Sequence, residues 1–153
     1  MAENIRSLYG SQLGKAYALT RSPEADPFWA GCREGRLMLP WCPACRRHHF
    51  YPRALCPHCG SAEIEWKKAS GKGRVYTFAV VRQPIERAFA ELVPYVIAII
   101  ELEEGVRMLS HVTSIDPDNV RCGMEVAVEF RPYSEKIMLP IFRPLTHPEG
   151  ASE

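Results

Sequence analysis

Residues 36–60 hold the pattern that decides the fold: Arg36-Leu37-Met38-Leu39-Pro40-Trp41 runs into Cys42-Pro43-Ala44-Cys45, and Cys56-Pro57-His58-Cys59-Gly60 follows after ten intervening residues. Each C-x-x-C turn presents two sulfurs to one centre. Two such knuckles complete the tetrahedral four-thiolate set that Zn2+ prefers. Cys42, Cys45, Cys56 and Cys59 are therefore the expected ligands of one structural zinc per chain. Four protein ligands leave no position for water, so this metal is expected to hold structure and to activate nothing. His48, His49 and His58 lie close by but find no vacancy, and are expected at the surface or behind the ligands. A disulfide framework is the competing reading. The start of the chain, Met1-Ala2-Glu3-Asn4-Ile5-Arg6, lacks the layout of a secretory signal, which disfavours that reading and points to a cytoplasmic location. A thioredoxin-like motif is disfavoured because no strand-helix-strand pattern surrounds the pairs. Gly60 suits a positive-φ position after the second knuckle, whereas Arg46 holds the equivalent place after the first at some cost in strain. Cys32 and Cys122 stand apart and are expected to be small buried apolar residues.

Outward from the knuckles, Leu37, Leu39 and Trp41 alternate into the first, and Phe50-Tyr51-Pro52 leads to the second, as in the small hairpins of a zinc ribbon. Upstream, Asp26-Pro27 reads as an N-cap and first helical residue, with Gly35 as the stop of a short helix. The first twenty residues scatter Ile5, Leu8, Leu13, Tyr17 and Leu19 without strong period and read as an arm. Downstream, five strands are expected over 74–81, 94–101, 106–113, 124–131 and 136–143. Glu103-Glu104-Gly105 makes a turn between the second and third, Asp116-Pro117-Asp118-Asn119 opens a longer connection, and Gly123 closes it. A short helix is expected between Arg82 and Val93. Five strands in about seventy residues match a five-stranded Greek-key barrel of the OB type, with a small open sandwich as the alternative. The chain thus divides into an arm and helix (1–35), a zinc ribbon (36–68), an OB-fold domain (69–145) and a polar tail (146–153), mainly β throughout.

The 153 residues suit about one average domain and exclude a large enzyme fold. No stretch approaches the roughly 20 apolar residues of a membrane span. The overall charge of +1 argues against a globally polyanion-binding chain, but the charge is unevenly placed. Residues 33–74 carry nine basic and three acidic side chains, so an anionic partner is expected to meet the ribbon side. The cluster Arg46, Arg47, Arg53, Lys72 and Arg74 is the candidate for phosphates, because Arg and Lys supply the charge-assisted donors, with a solvated basic face as the alternative.

With these features the sequence resembles a family of bacterial and archaeal proteins that join an N-terminal helix and rubredoxin-like zinc ribbon to an acyl-CoA-associated OB-fold domain of unknown function. The matching stretches are Pro27 to Leu37, the two knuckles with Pro52-Arg53 between them, Ser70 to Phe78, Pro94 to Arg107, and Gly123 to Val126. Arg46, in place of the usual glycine, departs from the pattern, as does the arm. The resemblance implies a non-catalytic accessory subunit, without catalytic residues of its own, that forms a hetero-oligomer with a thiolase-like catalytic subunit (thiolase, acyltransferase or aldolase) and can border its acyl-CoA channel. An enoyl-CoA hydratase-like partner is an alternative implied by the same family. The residues agree, since no G-x-S-x-G occurs and the histidines and serines are scattered. Single-stranded nucleic-acid binding is the rival class, with Tyr76, Phe78 and Tyr95 as stacking candidates and Lys72 and Arg74 as backbone contacts. Against it, the barrel half is net acidic, and alternation turns about half of those aromatics into the core. A structural clamp without ligand contact, using arm residues such as Leu8 and Tyr17, is compatible with the accessory role.

Overall fold

The computed structural model describes residues 21–84, 90–134 and 136–145. The arm, the tail and the centre of the short helix expected after Arg82 lie outside the described residues. A 3-10 turn, Pro23–Ala25, leads into helix α1 (Asp26–Arg33). The two join directly, so Asp26 is the first helical residue and not the N-cap. The Ala25 N–H donates to the Ser22 carbonyl at 3.0 Å, and no side-chain cap forms. Gly35, at φ 69°, ends the helix, and the Arg36 N–H turns back to the Gly31 carbonyl at 2.8 Å.

The ribbon is a three-stranded antiparallel sheet of β1 (Met38–Cys42), β2 (Arg47–His48) and β3 (Glu65–Lys68), in the order β2-β1-β3. Strands β4 (Lys72–Val81), β5 (Tyr95–Leu102), β6 (Arg107–Val112), β7 (Glu125–Ser134) and β8 (Ile137–Pro144) close a barrel in the order β4-β5-β6-β8-β7. These are the five expected strands. The largest difference is at β7, which runs on to Ser134. Pairing of β4 with β7 and of β6 with β8 closes the sheet and removes the sandwich alternative, and the crossover order is that of an OB fold.

Closure is weakest along the parallel seam of β6 and β8, where the register holds the single pair Val112↔Phe142. A side-chain and a further backbone hydrogen bond reinforce it. Pro140 has no N–H to give to a ladder, but its carbonyl accepts from Ser110 Oγ at 2.8 Å, and the Phe142 carbonyl accepts the Thr113 N–H at 2.8 Å. Inside, the even-numbered residues of β5, Val96, Ala98, Ile100 and Leu102, are fully buried. They belong to one cluster with Val75, Val126 and Phe142 of the barrel, Leu37 and Leu39 of the ribbon, and Phe28 and Cys32 of the helix. α1 packs against both β1 and β8 and so joins the ribbon to the barrel. The Phe28 ring also sits 5.0 Å from Trp29 and 5.5 Å from Phe50.

Two glycines permit these approaches. A Cβ on Gly31 would lie 2.5 Å from Met38 Cγ and 2.7 Å from the Arg36 carbonyl, and one on Gly73 would lie 2.5 Å from the Glu101 carbonyl. The second clash is with backbone in a paired strand, which has little room to retreat. Gly73→Ala is expected to destabilise the fold by about 1–3 kcal/mol, the usual penalty of overpacking. Chemical denaturation of the two proteins checks this, and equal midpoints would show that the strands separate without strain.

Candidate functional site

The structure brings the four expected cysteines together. Cys42 ends β1, Cys45 closes the first turn, and Cys56 and Cys59 bracket the second. The Arg46 N–H donates to the Cys42 carbonyl at 2.8 Å and the Gly60 N–H to the Cys56 carbonyl at 2.9 Å, so the two knuckles are turned alike. Both residues have positive φ, 55° at Arg46 and 75° at Gly60. The strain expected of Arg46 is thus present in the backbone.

The four sulfurs lie within 4.8 Å of one another, with Cys42 Sγ 3.6 Å from Cys59 Sγ and Cys45 Sγ 3.6 Å from Cys56 Sγ. A tetrahedron of thiolates at the usual zinc–sulfur bond length has edges of about 3.8 Å, whereas a disulfide needs about 2 Å. The donor set and its spacing therefore fit Zn2+. Cys42, Cys45, Cys56 and Cys59 would hold it, and the metal would cross-link β1 to the second knuckle with no open position. Burial pushes the Cys56 thiol up, but the backbone N–H groups of His58 and Cys59 and the neighbouring thiols outweigh it and hold it at about 6, whereas burial and the neighbouring thiols push Cys45 up to about 12 and Cys59 is also raised, so zinc would have to displace protons from the set.

The remaining sequence candidates separate. His58 is exposed, and His48 packs on Trp41 with ring centroids 4.7 Å apart. His49 is 2% exposed and both of its ring nitrogens lack a hydrogen-bond partner among the described residues. Burial and the nearby His58 lower its pKa, which keeps the ring neutral. Cys32 is buried as expected, its thiol pushed up to about 12 by burial despite Arg33 beside it. Cys122 corrects the expectation: it is exposed in the turn before β7, where neighbouring Gly123 is at φ 82°.

Of the basic cluster, Arg46, Arg47 and Arg53 are exposed on the ribbon, and none pairs with a carboxylate among the described residues. Lys72 and Arg74 lie elsewhere, on a groove of about 480 Å3 shared with Glu101, Glu103 and Glu125. Arg74 is held by Glu125 at 3.2 Å. Among the stacking candidates, Phe78 packs against the core, Tyr76 lies exposed beneath the Arg107 guanidinium at 3.5 Å, and Tyr95 stacks on His111 at 5.5 Å. Sequence reading missed Glu104, whose carboxylate accepts the Ser70 N–H at 2.6 Å and so fastens the ribbon-to-barrel junction to the β5–β6 turn.

A metal-competent ribbon fused through one core to an OB barrel defines a zinc-ribbon/OB-fold protein. Residues 29–65 match the family described as the ChsH2 rubredoxin-like zinc ribbon domain, and residues 66–131 match its C-terminal OB-fold domain. The chain belongs to this ChsH2-type, DUF35 family. It is 36% identical over 120 residues to a probable enoyl-CoA hydratase alpha subunit of Thermomonospora curvata, covering 78% of this chain and 37% of that one. It therefore spans little more than a third of that relative. It is also 40% identical over 96 residues to a DUF35 domain-containing scaffold protein of Methanothermobacter thermautotrophicus, covering 62% of this chain and 71% of the other. A solved chain of an assembly named the Ltp2-ChsH2(DUF35) aldolase superposes with a TM-score of 0.76 at 32% identity, over 84% of this chain and all of that one. Among the described residues no helix is long and apolar enough to cross a membrane.

Two outcomes follow for the centre. Purified protein is expected to carry about one zinc per chain, and Cys42→Ser is expected to lose it together with ribbon structure, because metal binding there is folding energy. Metal analysis with circular dichroism checks both, and a metal-free variant with an unaltered ribbon would refute the assignment. Burial also lowers the pKa of His111, so the unfolded chain binds protons at His49 and His111 that the folded chain refuses. Stability is then greatest above the ordinary histidine pKa of about 6.5 and falls as the pH drops from there towards the depressed folded values. Unfolding free energies measured between pH 8 and 5.5 are expected to show this slope, and His111→Gln, which leaves the cysteines untouched, is expected to flatten it.

Proposed function

We propose that this chain is a non-catalytic accessory subunit of a thiolase-like enzyme that acts on acyl-CoA, working in the cytoplasm. The observation that carries the reading is the superposition, over the whole of the neighbour's length, on a chain of an assembly named the Ltp2-ChsH2(DUF35) aldolase. The scaffold-protein name of the Methanothermobacter relative supports the same role. Site chemistry supports it from a second direction. With zinc bound, the four-cysteine cluster would have no open position for substrate. The Thermomonospora name favours a hydratase-type partner as the second reading.

CoA phosphates are proposed to meet the exposed guanidinium groups of Arg46, Arg47 and Arg53, which have no carboxylate to release first among the described residues. Lys72 and Arg74 remain weaker members of the set because three glutamates share their groove. Two measurements separate the parts of this reading. Co-expression with a thiolase-like subunit from the same source is expected to give a stoichiometric complex that turns over an acyl-CoA, while the chain alone turns over none. Turnover of a thioester by the isolated chain would overturn the accessory role. In the complex, the triple change Arg46→Ala, Arg47→Ala, Arg53→Ala is expected to weaken acyl-CoA binding at least ten-fold, and unchanged affinity would remove the ribbon from the CoA site.

A further inference from the structure

Strand β5 is apolar on both faces. Its even-numbered residues fill the barrel, as described, but Ile97 and Ile99, which point the other way, are also apolar and only half-buried. A strand with one face in water normally alternates apolar with polar, and a strand apolar on both sides normally has something packed on each. Strand registers show what surrounds these two side chains. Thr77, Ile99 and Leu109 form one row across β4, β5 and β6, and Ala79, Ile97 and His111 form the next. Leu109 is 67% exposed, the largest exposure among the big apolar side chains of the described residues. Tyr95, stacked on His111, extends the patch towards the end of the strand. No formally charged side chain stands in either row. The charges begin one row out, where Arg74, Glu101 and Arg107 align across the same three strands.

Those rim charges are already matched. Arg107 donates to Glu101 at 3.0 Å while lying over Tyr76, and Arg74 pairs with Glu125. Binding of a nucleic-acid strand to an OB barrel needs cations free to take phosphates beside its stacking platforms. Here each guanidinium beside the patch has a carboxylate, and the centre offers isoleucine and leucine. An apolar centre inside a rim of paired charges is the anatomy of a protein–protein interface. The opposite side of the molecule is already occupied, because α1 lies against β8 and links it to the ribbon.

We infer that the outer face of β4–β5–β6, centred on Ile97, Ile99 and Leu109, is the surface on which the catalytic thiolase-like subunit docks through an apolar patch of its own. This rests on the accessory-subunit reading and assigns that role to the barrel wall, leaving the ribbon arginines free for an anionic ligand. The structural neighbour, whose chain is named together with an aldolase, is the reason for choosing a catalytic subunit as occupant over a second copy of this chain.

The test uses the full chain and the co-expressed thiolase-like subunit, with the complex dissociation constant as readout. Because Leu109 is so exposed, Leu109→Arg is expected to keep the fold and zinc content while weakening the complex at least ten-fold. Leu109→Ala is a milder variant expected to weaken it several-fold, and Leu55→Arg, at an exposed ribbon site, is expected to leave it within two-fold. If Leu109→Arg binds as the unsubstituted chain does while Leu55→Arg does not, the docking face is on the ribbon and this inference is wrong, although the accessory role stands. If the unsubstituted chain binds no catalytic subunit, the accessory role falls and takes this occupant with it. A dimer of this chain dispersed by Leu109→Arg, or retention of a single-stranded oligonucleotide at moderate salt, would equally overturn the assignment.

Discussion

The internal order of the ribbon depends on four sulfurs being held within 4.8 Å of one another. The ribbon is too short to build a core of its own, and small modules of this kind rely on metals or cross-links in place of buried area. Its two best apolar residues, Leu37 and Leu39, are spent on the barrel's core instead. The knuckles therefore fix the ribbon internally while the hydrophobic cluster fixes it externally. Helix α1 completes the arrangement by placing Phe28 against both the cluster and the aromatic ring of Phe50.

The barrel solves a different problem. Its sheet closes across a seam with a single parallel register pair, so the usual ladder contributes little there. Ser110 and Thr113 supply hydrogen bonds to the carbonyls of Pro140 and Phe142 in its place. Thr113 also reaches Glu129 at 3.0 Å, which in turn holds Arg131 at 2.8 Å, so the seam is tied to β7 by a partly buried polar chain. A partner subunit would meet a wall held in shape by backbone and core, which is what an interface with little reorganisation requires.

Charge is divided between the two modules in a way that suits two jobs. On the ribbon, Arg46, Arg47 and Arg53 stand without carboxylates among the described residues, while beside the barrel face Arg74 and Arg107 are neutralised by Glu125 and Glu101. Unpaired guanidinium groups retain their capacity for phosphate, and paired ones border an apolar surface without imposing a net field on it. Residues whose sequence placement made them look like one basic cluster thus belong to two surfaces with different chemistry.

Short-range chemistry was legible in the chain itself. The C-x-x-C pairs specified their own turns, the helix stop at Gly35 and the positive φ after each knuckle followed from local backbone sterics, and five strands emerged from alternation and turn residues. Other features were decided only when distant segments met. Asp26 lost its capping role because a preceding 3-10 turn makes it the first helical residue, Cys122 was left in water by the turn that carries it, and His49 was buried by the packing around it. The neutralisation of Arg74 needs Glu125, fifty-one residues away. The apolar outer face needs the registers of three strands before Ile97, Ile99 and Leu109 become neighbours. Sequence alone determined the metal knuckles and the five strands, because each is encoded by spacings of a few residues, whereas closure of those strands into a barrel needed the distant β4–β7 and β6–β8 pairings. Tertiary structure decided which charges are free and which apolar side chains share a face, because both are properties of pairs that the chain brings together only on folding.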